Sequence, residues 1–194
     1  MTKNIAKSKS SRYQKKIEEL FQLYRTEGFD MSVDEMAEKL HITRKTFFNR
    51  YTSKDHSVKL SFDVLSQKVR NHFQERMEDC NNAVEALVVF MWEFKTFKYE
   101  SGHFYEYAIS NQLLMMPAAP FRVLLIHILQ DGIRHYQVNE KLDVQGYAEF
   151  YLFNLFYYFD DHELTKERIR FLLSGALNER GMELLEFVLD SVEE

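Results

Sequence analysis

Apolar residues recur every three or four positions along most of the chain, which is the spacing of one face of an α-helix. In the first such stretch, residues 12–27, they are Tyr13, Ile17, Leu20, Phe21 and Tyr24. The same pattern predicts further helices at about 33–40, 44–51, 54–79, 83–99, 104–115, 119–136, 143–160, 166–178 and 181–192. With only 6 Gly and 2 Pro, the sequence lacks the many turn residues of a β-sandwich or barrel. We therefore predict an all-α protein.

The expected breaks between these helices carry residues that favour turns. Gly28 is placed to cap the first helix in a left-handed conformation. Gly residues lack a Cβ atom, and Asn and Pro disfavour continued helix, so each of these residue types is suited to a break. The other main breaks are expected at Asn81 with Asn82, Ser101 with Gly102, Pro117 with Pro120, and the turn Asp160, Asp161 and His162.

Charge is distributed unevenly along the chain, whose net charge is −5. Residues 1–60 hold 13 Lys and Arg against 8 Asp and Glu, whereas residues 61–194 hold 12 against 22. Residues 1–11 contain three Lys and no acid, and we expect them to form a loose basic arm. A basic amino-terminal part on an acidic remainder is typical of a protein whose one end meets phosphate groups.

The residues needed for several other functions are missing. A single cysteine, Cys80, excludes an internal disulfide and a cysteine-based zinc site, and it suits a reducing cytoplasm. We expect neither a signal peptide nor a membrane span, because charges interrupt every apolar stretch. No nucleophile elbow, phosphate loop or pair of catalytic acids is present, so we predict no enzyme. The nearest metal candidates, residues 160–163 and the pair His127 and His135, do not converge on one ion, so we expect no metal or cofactor.

Residues 32–55 have the pattern of two short helices joined by a tight turn. Ser32 and Glu35 match a capping box at the start of the first helix. Thr43 is placed to cap the second helix. Ala37 is small where the two helices must cross closely, and Ile42 fills the turn between them. This is the specification of a helix-turn-helix.

The second of these helices has an outward face suited to DNA. Phe47, Phe48 and Tyr51 are predicted to point inward. The residues left outward are Thr43, Arg44, Lys45, Thr46, Asn49 and Arg50. None is acidic, and in the major groove Arg or Lys reads guanine while Asn reads adenine. The start of the next helix, at Lys54, offers free backbone amides and a positive charge for a phosphate.

This segment resembles the tetracycline-repressor (TetR) family of bacterial regulators over about residues 12–60. The matching features are Ala37, the turn His-Ile-Thr at 41–43, Phe-Phe-Asn-Arg-Tyr at 47–51, and then Ser-Lys at 53–54. His41 stands where the family's turn usually has Gly, so a non-glycine residue is expected at positive φ. Phe48 stands where a Tyr commonly donates its hydroxyl group to a phosphate.

The resemblance implies two domains. Residues 1–54 would form a three-helix, helix-turn-helix DNA-binding domain, and residues 55–194 a larger helical domain for ligand binding and dimerisation. The residues predicted to bind DNA are Ser32, Thr43, Arg44, Lys45, Thr46, Phe48, Asn49, Arg50 and Lys54.

Residues 83–160 are rich in aromatic side chains, and the resemblance implies a ligand pocket among their helices. Apolar pockets between bundle helices are common ligand sites. The candidate lining residues are Trp92, Phe97, Phe104, Tyr107, Met115, Leu125 and Asn154. The alternative is an ordinary aromatic core, which is the more frequent outcome for a single residue at helical spacing.

The stretch at 147–159 is apolar nearly all round, so its helix is predicted to be buried on more than one side. We expect it to pair with a second copy of the chain, together with helices near 166–192. The predicted function is therefore that of a transcriptional regulator, expected to act as a repressor, with activation left open as an alternative. As a homodimer it would bind a palindromic operator in double-stranded DNA and be released by a small apolar or aromatic effector. The alternative is a helical module that binds a small molecule or protein and carries a vestigial DNA-binding head.

Overall fold

The computed structural model describes residues 2–111, 115–157 and 164–191, with side chains omitted at 2–12, 99, 115–120 and 157. The described residues form α1 (Thr2–Glu27), α2 (Val33–Lys39), α3 (Arg44–Tyr51), α4 (Lys54–Glu78), α5 (Ala83–Glu100), α6 (His103–Ser110), α7 (Met115–Arg134), α8 (Val144–Tyr157), α9 (Lys166–Ser174) and α10 (Glu179–Ser191). Within them, the only β-type pairing is an isolated bridge between Val138 and Leu177. The prediction of an all-α protein is confirmed.

The chain divides into two compact units. Unit 1 comprises residues 1–69 and 98–117 and so contains α1, α2, α3, the first part of α4, and α6. Unit 2 comprises residues 70–97 and 118–194, which include the rest of α4, most of α5 and α7, and α8 to α10. α4 therefore contributes residues to both units.

The amino-terminal segment is helical rather than a loose arm. α1 begins at Thr2, so the expectation for residues 1–11 was wrong over residues 2–11. Residues 2–11 contain no Gly or Pro, and extending an existing helix adds one hydrogen bond for each residue ordered. At the other end of α1, the Gly28 amide donates to the Tyr24 carbonyl at 3.1 Å with Gly28 at φ +83°, which confirms the predicted left-handed cap.

Two predicted helix boundaries also differ. α7 begins at Met115 and includes Pro117 and Pro120, where a break was predicted. Pro117 lies in the first turn, where backbone amides have no intrahelical acceptor and proline is tolerated. α9 ends at Ser174, with Gly175 as its cap, rather than at 178. The predicted turn at Asp160, Asp161 and His162 lies outside the described residues.

The core of unit 1 is a cluster of aromatic rings to which α6 contributes. Phe104 of α6 stacks on Phe21 of α1, with ring centroids 4.9 Å apart. It also meets Phe29 and Phe62 edge to face at 5.0 and 5.1 Å. Offset and edge-to-face pairs are the favoured aromatic geometries. These contacts join α6 to α1 and to the first part of α4.

Unit 2 has an aromatic core of its own. The rings of Phe90 and Phe121 each meet Phe73 edge to face, with centroids 5.0 and 4.9 Å apart. Fully buried Tyr151 donates its hydroxyl hydrogen to the Leu87 carbonyl at 2.7 Å, joining α8 to α5. In the parts of the chain that the structure describes, no helix is long and apolar enough to cross a membrane. The same parts contain no cluster of three or more potential metal ligands.

Candidate functional site

The first helix of the helix-turn-helix starts with the predicted capping box. Ser32 Oγ accepts a hydrogen bond from the Glu35 amide at 3.3 Å. In return, Glu35 Oε2 accepts one from the Ser32 amide at 2.7 Å. Hydrogen bonds from Ser32 hold the pKa of the Glu35 carboxyl below its usual value. The prediction from the Ser32–Glu35 spacing is confirmed, and these bonds position the amino-terminal end of α2.

The turn after α2 reverses the chain through a left-handed residue. His41 has φ +52°. This positive φ was expected, because His41 stands at the position where TetR-family turns usually have glycine. The His41 amide donates to the Glu38 carbonyl at 3.0 Å, and the Ile42 amide donates to the Ala37 carbonyl at 2.9 Å. This pair of bonds is a Schellman motif, which ends α2 and leads directly to Thr43.

Two aromatic side chains of α3 are buried, whereas the sequence pattern predicted three. Phe47 and Tyr51 are buried, and the Tyr51 hydroxyl donates to the Lys16 carbonyl of α1 at 3.2 Å. Phe48 is 39% exposed, so the prediction that it points inward was wrong. Residues 47 and 51 are one turn apart and share a face, whereas residue 48 is about 100° further round the helix. Phe48 therefore lies beside the polar face of α3.

The exposed face of α3 presents hydrogen-bond donors and no acid. Thr43 Oγ1 accepts a hydrogen bond from the Thr46 amide at 3.1 Å, so Thr43 is the predicted cap. Arg44, Lys45 and Asn49 are exposed, and Thr46 and Arg50 are partly exposed. Guanidinium, ammonium and carboxamide groups on one short helix are the side chains that read base edges in the major groove.

One contact of this face was not foreseen. Arg44 Nη1 donates a hydrogen bond to Asp34 Oδ2 of α2 at 2.6 Å. The Arg44 guanidinium carbon lies 5.6 Å from the centre of the Phe48 ring. Asp34 and Arg44 are ten residues apart, a separation with no helical periodicity, so only the geometry of the turn brings them together.

The start of α4 provides a third element of the site. Ser53 Oγ accepts a hydrogen bond from the His56 amide at 3.0 Å, as expected of a cap. Lys54 is the first residue of α4 and is partly exposed. The amino-terminal end of a helix carries partial positive charge, which the Lys54 ammonium group increases. This end can hold a phosphate, and exposed Asp55 in the same turn works against it.

Comparison with known proteins identifies the fold. No family model and no curated protein sequence matches the chain. Among solved structures, a gamma-butyrolactone receptor described as ArpA-like superposes with a TM-score of 0.65 at 12% identity, covering 94% of this chain and 97% of its own. The TetR family protein CprB from S. coelicolor A3(2) gives a TM-score of 0.62 at 13% identity, with 94% and 99% coverage.

A third structure, the transcriptional regulator FadR from Bacillus subtilis in complex with stearoyl-CoA, gives a TM-score of 0.60 at 15% identity, with 92% and 96% coverage. The chain has the TetR fold. At the level of the fold, the resemblance seen in residues 12–60 is therefore confirmed, and it extends over nearly the whole chain.

Two of the residues predicted to line the ligand pocket belong to the unit of the TetR fold that also contains the helix-turn-helix. Phe104 is fully buried in the core of unit 1. Tyr107, one turn further along α6, stacks on Phe29 with ring centroids 4.0 Å apart. Both side chains therefore contribute to the packing of α6 on the end of α1. The Met115 side chain lies outside the described residues.

The other four predicted pocket residues are in unit 2. Phe97 and Leu125 are buried, and the Phe97 ring meets Phe121 edge to face at 5.0 Å. Trp92 is 36% exposed, and Asn154 is partly exposed and donates a hydrogen bond to the Phe150 carbonyl at 2.7 Å. The predicted pocket residues thus divide between core positions and surface positions of two units.

An open cavity of about 330 Å³ in unit 2 was not predicted from the sequence. Its walls come from the end of α4, the start of α5 and from α7, and include Cys80, His127 and Asp131. None of the six predicted pocket residues whose side chains the structure describes lines it. Cys80, His127 and the break at residues 81–82 were each singled out from the sequence, but were not brought together there as one site.

Unit 2 also exposes aromatic side chains on its last three helices. α8 buries Tyr147, Tyr151 and Leu155 within the unit. Among the side chains that the structure describes on α8, α9 and α10, the large apolar ones left exposed are Phe150, Phe153, Phe171 and Phe187. The last two are each at least 75% exposed. Contiguous patches of such groups mark protein interfaces.

Proposed function

We propose that the chain is a ligand-responsive transcriptional regulator, and not an enzyme, acting in the cytoplasm. It binds a palindromic operator in double-stranded DNA as a homodimer, acts as a repressor, and leaves the operator when a small apolar or aromatic effector binds. Residues 1–54 are the DNA-binding domain, and residues 55–194 bind the effector and the second subunit. The observation that carries this proposal is the acid-free polar face of α3, held above buried Phe47 and Tyr51 in a chain with the TetR fold.

The proposed DNA contacts divide into two classes. Arg44, Lys45 and Asn49 are exposed on α3 and read base edges. Lys54 and the amides at the start of α4 bind phosphate and set the position of α3 in the groove. Phe48 is exposed beside them and makes apolar contact with the DNA. Ser32 and Thr46 add polar contacts at the edge of this surface, and the excess of basic residues in 1–60 supports it.

The proposed dimer interface uses the exposed aromatic residues of unit 2. Phe150 on α8 is about half exposed in the single chain, and Phe187 on α10 is largely exposed. Burying such side chains against a second copy removes apolar surface from water. Two copies related by a twofold axis present two α3 helices to half-sites about 34–36 Å apart.

The proposed effector is apolar at least in part. Of the structurally similar proteins, FadR is described in complex with stearoyl-CoA, whose acyl chain is apolar. The aromatic residues of α5 and α8 supply a matching environment in unit 2. We infer that effector binding shifts α4, because α4 contributes residues to both units. The effector must bind the released arrangement more tightly than the DNA-bound one.

The test of DNA binding is selection of sites from random duplex DNA by the full-length protein. We expect enrichment of one palindromic site. Arg44→Ala then lowers discrimination at one base pair in each half-site by about 1–3 kcal/mol. Lys54→Ala weakens binding to all sequences and reduces the slope of log affinity against log salt by about one.

Lys141→Ala is the matched control, since Lys141 is exposed in unit 2 and distant in sequence from the site. It should change neither discrimination nor the salt slope. If the wild-type protein enriches no site and binds all duplexes weakly and uniformly, the proposal is wrong. Residues 1–54 would then be a vestigial DNA-binding domain.

A further inference from the structure

The hydrogen-bonded pair Asp34 and Arg44 joins the two helices of the helix-turn-helix across their exposed side. Asp34 is in the first turn of α2, and Arg44 is the first residue of α3. The Nη1–Oδ2 distance is 2.6 Å, and the side chains of Arg44 and Asp34 are 60% and 65% exposed. Phe48 lies under the guanidinium group, 5.6 Å from its central carbon. The Arg44 guanidinium group therefore contacts the Asp34 carboxylate on one side and the Phe48 ring on another.

Such an exposed ion pair adds little to the stability of the folded chain. Water screens the attraction between exposed charges, and ordering two flexible side chains offsets most of the gain. The acidic group also lies next to a surface that we propose binds DNA, where it repels phosphates. Asp34 shares the first turn of α2 with Glu35, and an acid there interacts favourably with the partial positive charge of the helix end. What distinguishes Asp34 from Glu35 is its contact with Arg44.

The geometry of the pair leaves Arg44 able to read a base. A guanidinium group has five N–H donors, and a guanine needs two of them. The contact with Asp34 uses Nη1, so the edge formed by Nε and Nη2 remains available. An arginine already held in one orientation loses less side-chain freedom when it binds. The pairing is compatible with base recognition and reduces its entropic cost.

We propose that Asp34 is a positioning residue that determines sequence specificity by orienting Arg44 toward a guanine, with Phe48 supporting the guanidinium plane. This inference rests on the proposed DNA-binding function. Asp34 acts through Arg44 and makes no base contact of its own. Its removal therefore has opposite effects on two quantities: general affinity for DNA rises, and discrimination at the base pair read by Arg44 falls.

The test measures dissociation constants for the selected operator, for each of its single base-pair variants and for a scrambled duplex. The proteins are wild type, Asp34→Ala, Asp34→Asn, Arg44→Ala, the Asp34→Ala/Arg44→Ala double variant, and Glu38→Ala. Glu38 is an exposed acid on the same helix and controls for the loss of one negative charge. Far-UV circular dichroism and melting temperatures establish that each variant is folded.

We expect Asp34→Ala to bind the scrambled duplex at least as tightly as wild type, as Glu38→Ala does. Discrimination at the Arg44 base pair falls about 5-fold or more in Asp34→Ala, falls less in Asp34→Asn, which keeps an acceptor, and does not change in Glu38→Ala. In the Arg44→Ala background, removing Asp34 has no further effect on discrimination.

Three results would overturn the inference while leaving DNA binding intact. They are unchanged discrimination in Asp34→Ala, an equal loss in Glu38→Ala, and an Asp34 effect that persists without Arg44. The last result would mean that Asp34 contacts a base directly. If wild type selects no operator, the proposed function fails and this inference fails with it.

Discussion

The Nε atom of Arg25 donates a hydrogen bond to the backbone carbonyl oxygen of Glu100 at 2.8 Å, joining the end of α1 to the segment that precedes α6. Two residues later, Gly102 has φ +57° and ψ −135°, a conformation that residues with a side chain rarely adopt. A Cβ atom at Gly102 would lie 2.7 Å from the Arg25 carbonyl oxygen. The contact between α1 and α6 in unit 1 therefore depends on glycine at this position.

Gly102→Ala should destabilise unit 1 by about 1–3 kcal/mol, because the substituted residue must keep a strained φ and displace backbone. Urea unfolding followed by circular dichroism measures the loss. Gly175→Ala is the control, since Gly175 has φ −72° and its nearest neighbour is a Tyr147 ring carbon at 3.9 Å. Equal effects of the two substitutions would contradict this account of Gly102.

Ser32→Ala should lower the free energy of unfolding by about 1 kcal/mol, since it removes the acceptor for the Glu35 amide at the start of α2. The same urea titration measures it. Ser66→Ala, in the interior of α4, should be neutral or stabilising, because alanine is the better helix former. A Ser32→Ala protein as stable as wild type would mean that the capping box contributes nothing to the free energy of unfolding.

Phe150→Glu and Phe187→Glu should each convert the proposed dimer into monomers at micromolar concentration. Twofold symmetry places every substituted residue in the interface twice, and a carboxylate buried there loses its hydration. Sedimentation velocity measures the mass. Tyr136→Glu, in the turn between α7 and α8 with its side chain 75% exposed, should leave the dimer intact. A wild-type protein that sediments as a monomer would refute the proposed interface.

Cys80 should react slowly with thiol reagents. Burial, and after it the charge of Glu85, raises the pKa of the Cys80 thiol to about 11. At pH 8 its thiolate fraction is then about two orders of magnitude below that of an ordinary cysteine. The rate of reaction with a disulfide reagent should rise about tenfold per pH unit between pH 8 and 10.

The same pKa shift has a consequence for stability. The thiol is neutral in the folded chain up to about pH 11 and ionises earlier in the unfolded chain, so stability declines as pH rises above the ordinary thiol pKa. Protein unfolded in guanidinium should react at the ordinary rate. A fast reaction of the native protein at pH 8 would show that Cys80 is not protected, and Cys80→Ser should abolish the signal.

Local features of the chain were predictable because they depend on residues within a few positions of each other. The capping box at Ser32 and Glu35, the cap at Thr43 and the positive φ at His41 each follow from side-chain chemistry and helix geometry. The helical periodicity gave the order of the elements. The acid-free face of α3 could likewise be predicted, because its residues are four positions or fewer from the buried pair Phe47 and Tyr51.

The sequence by itself therefore determined the order of the helices, the caps at Ser32 and Thr43, and the composition of the α3 surface. Only the tertiary structure decided that Phe48 is exposed, that Asp34 meets Arg44, and that α6 packs in the same unit as α1. The physical reason is that caps and periodicity are set by hydrogen bonds and side chains one turn apart. The burial of a particular face, and the partner of a particular charge, depend on which distant segment packs there.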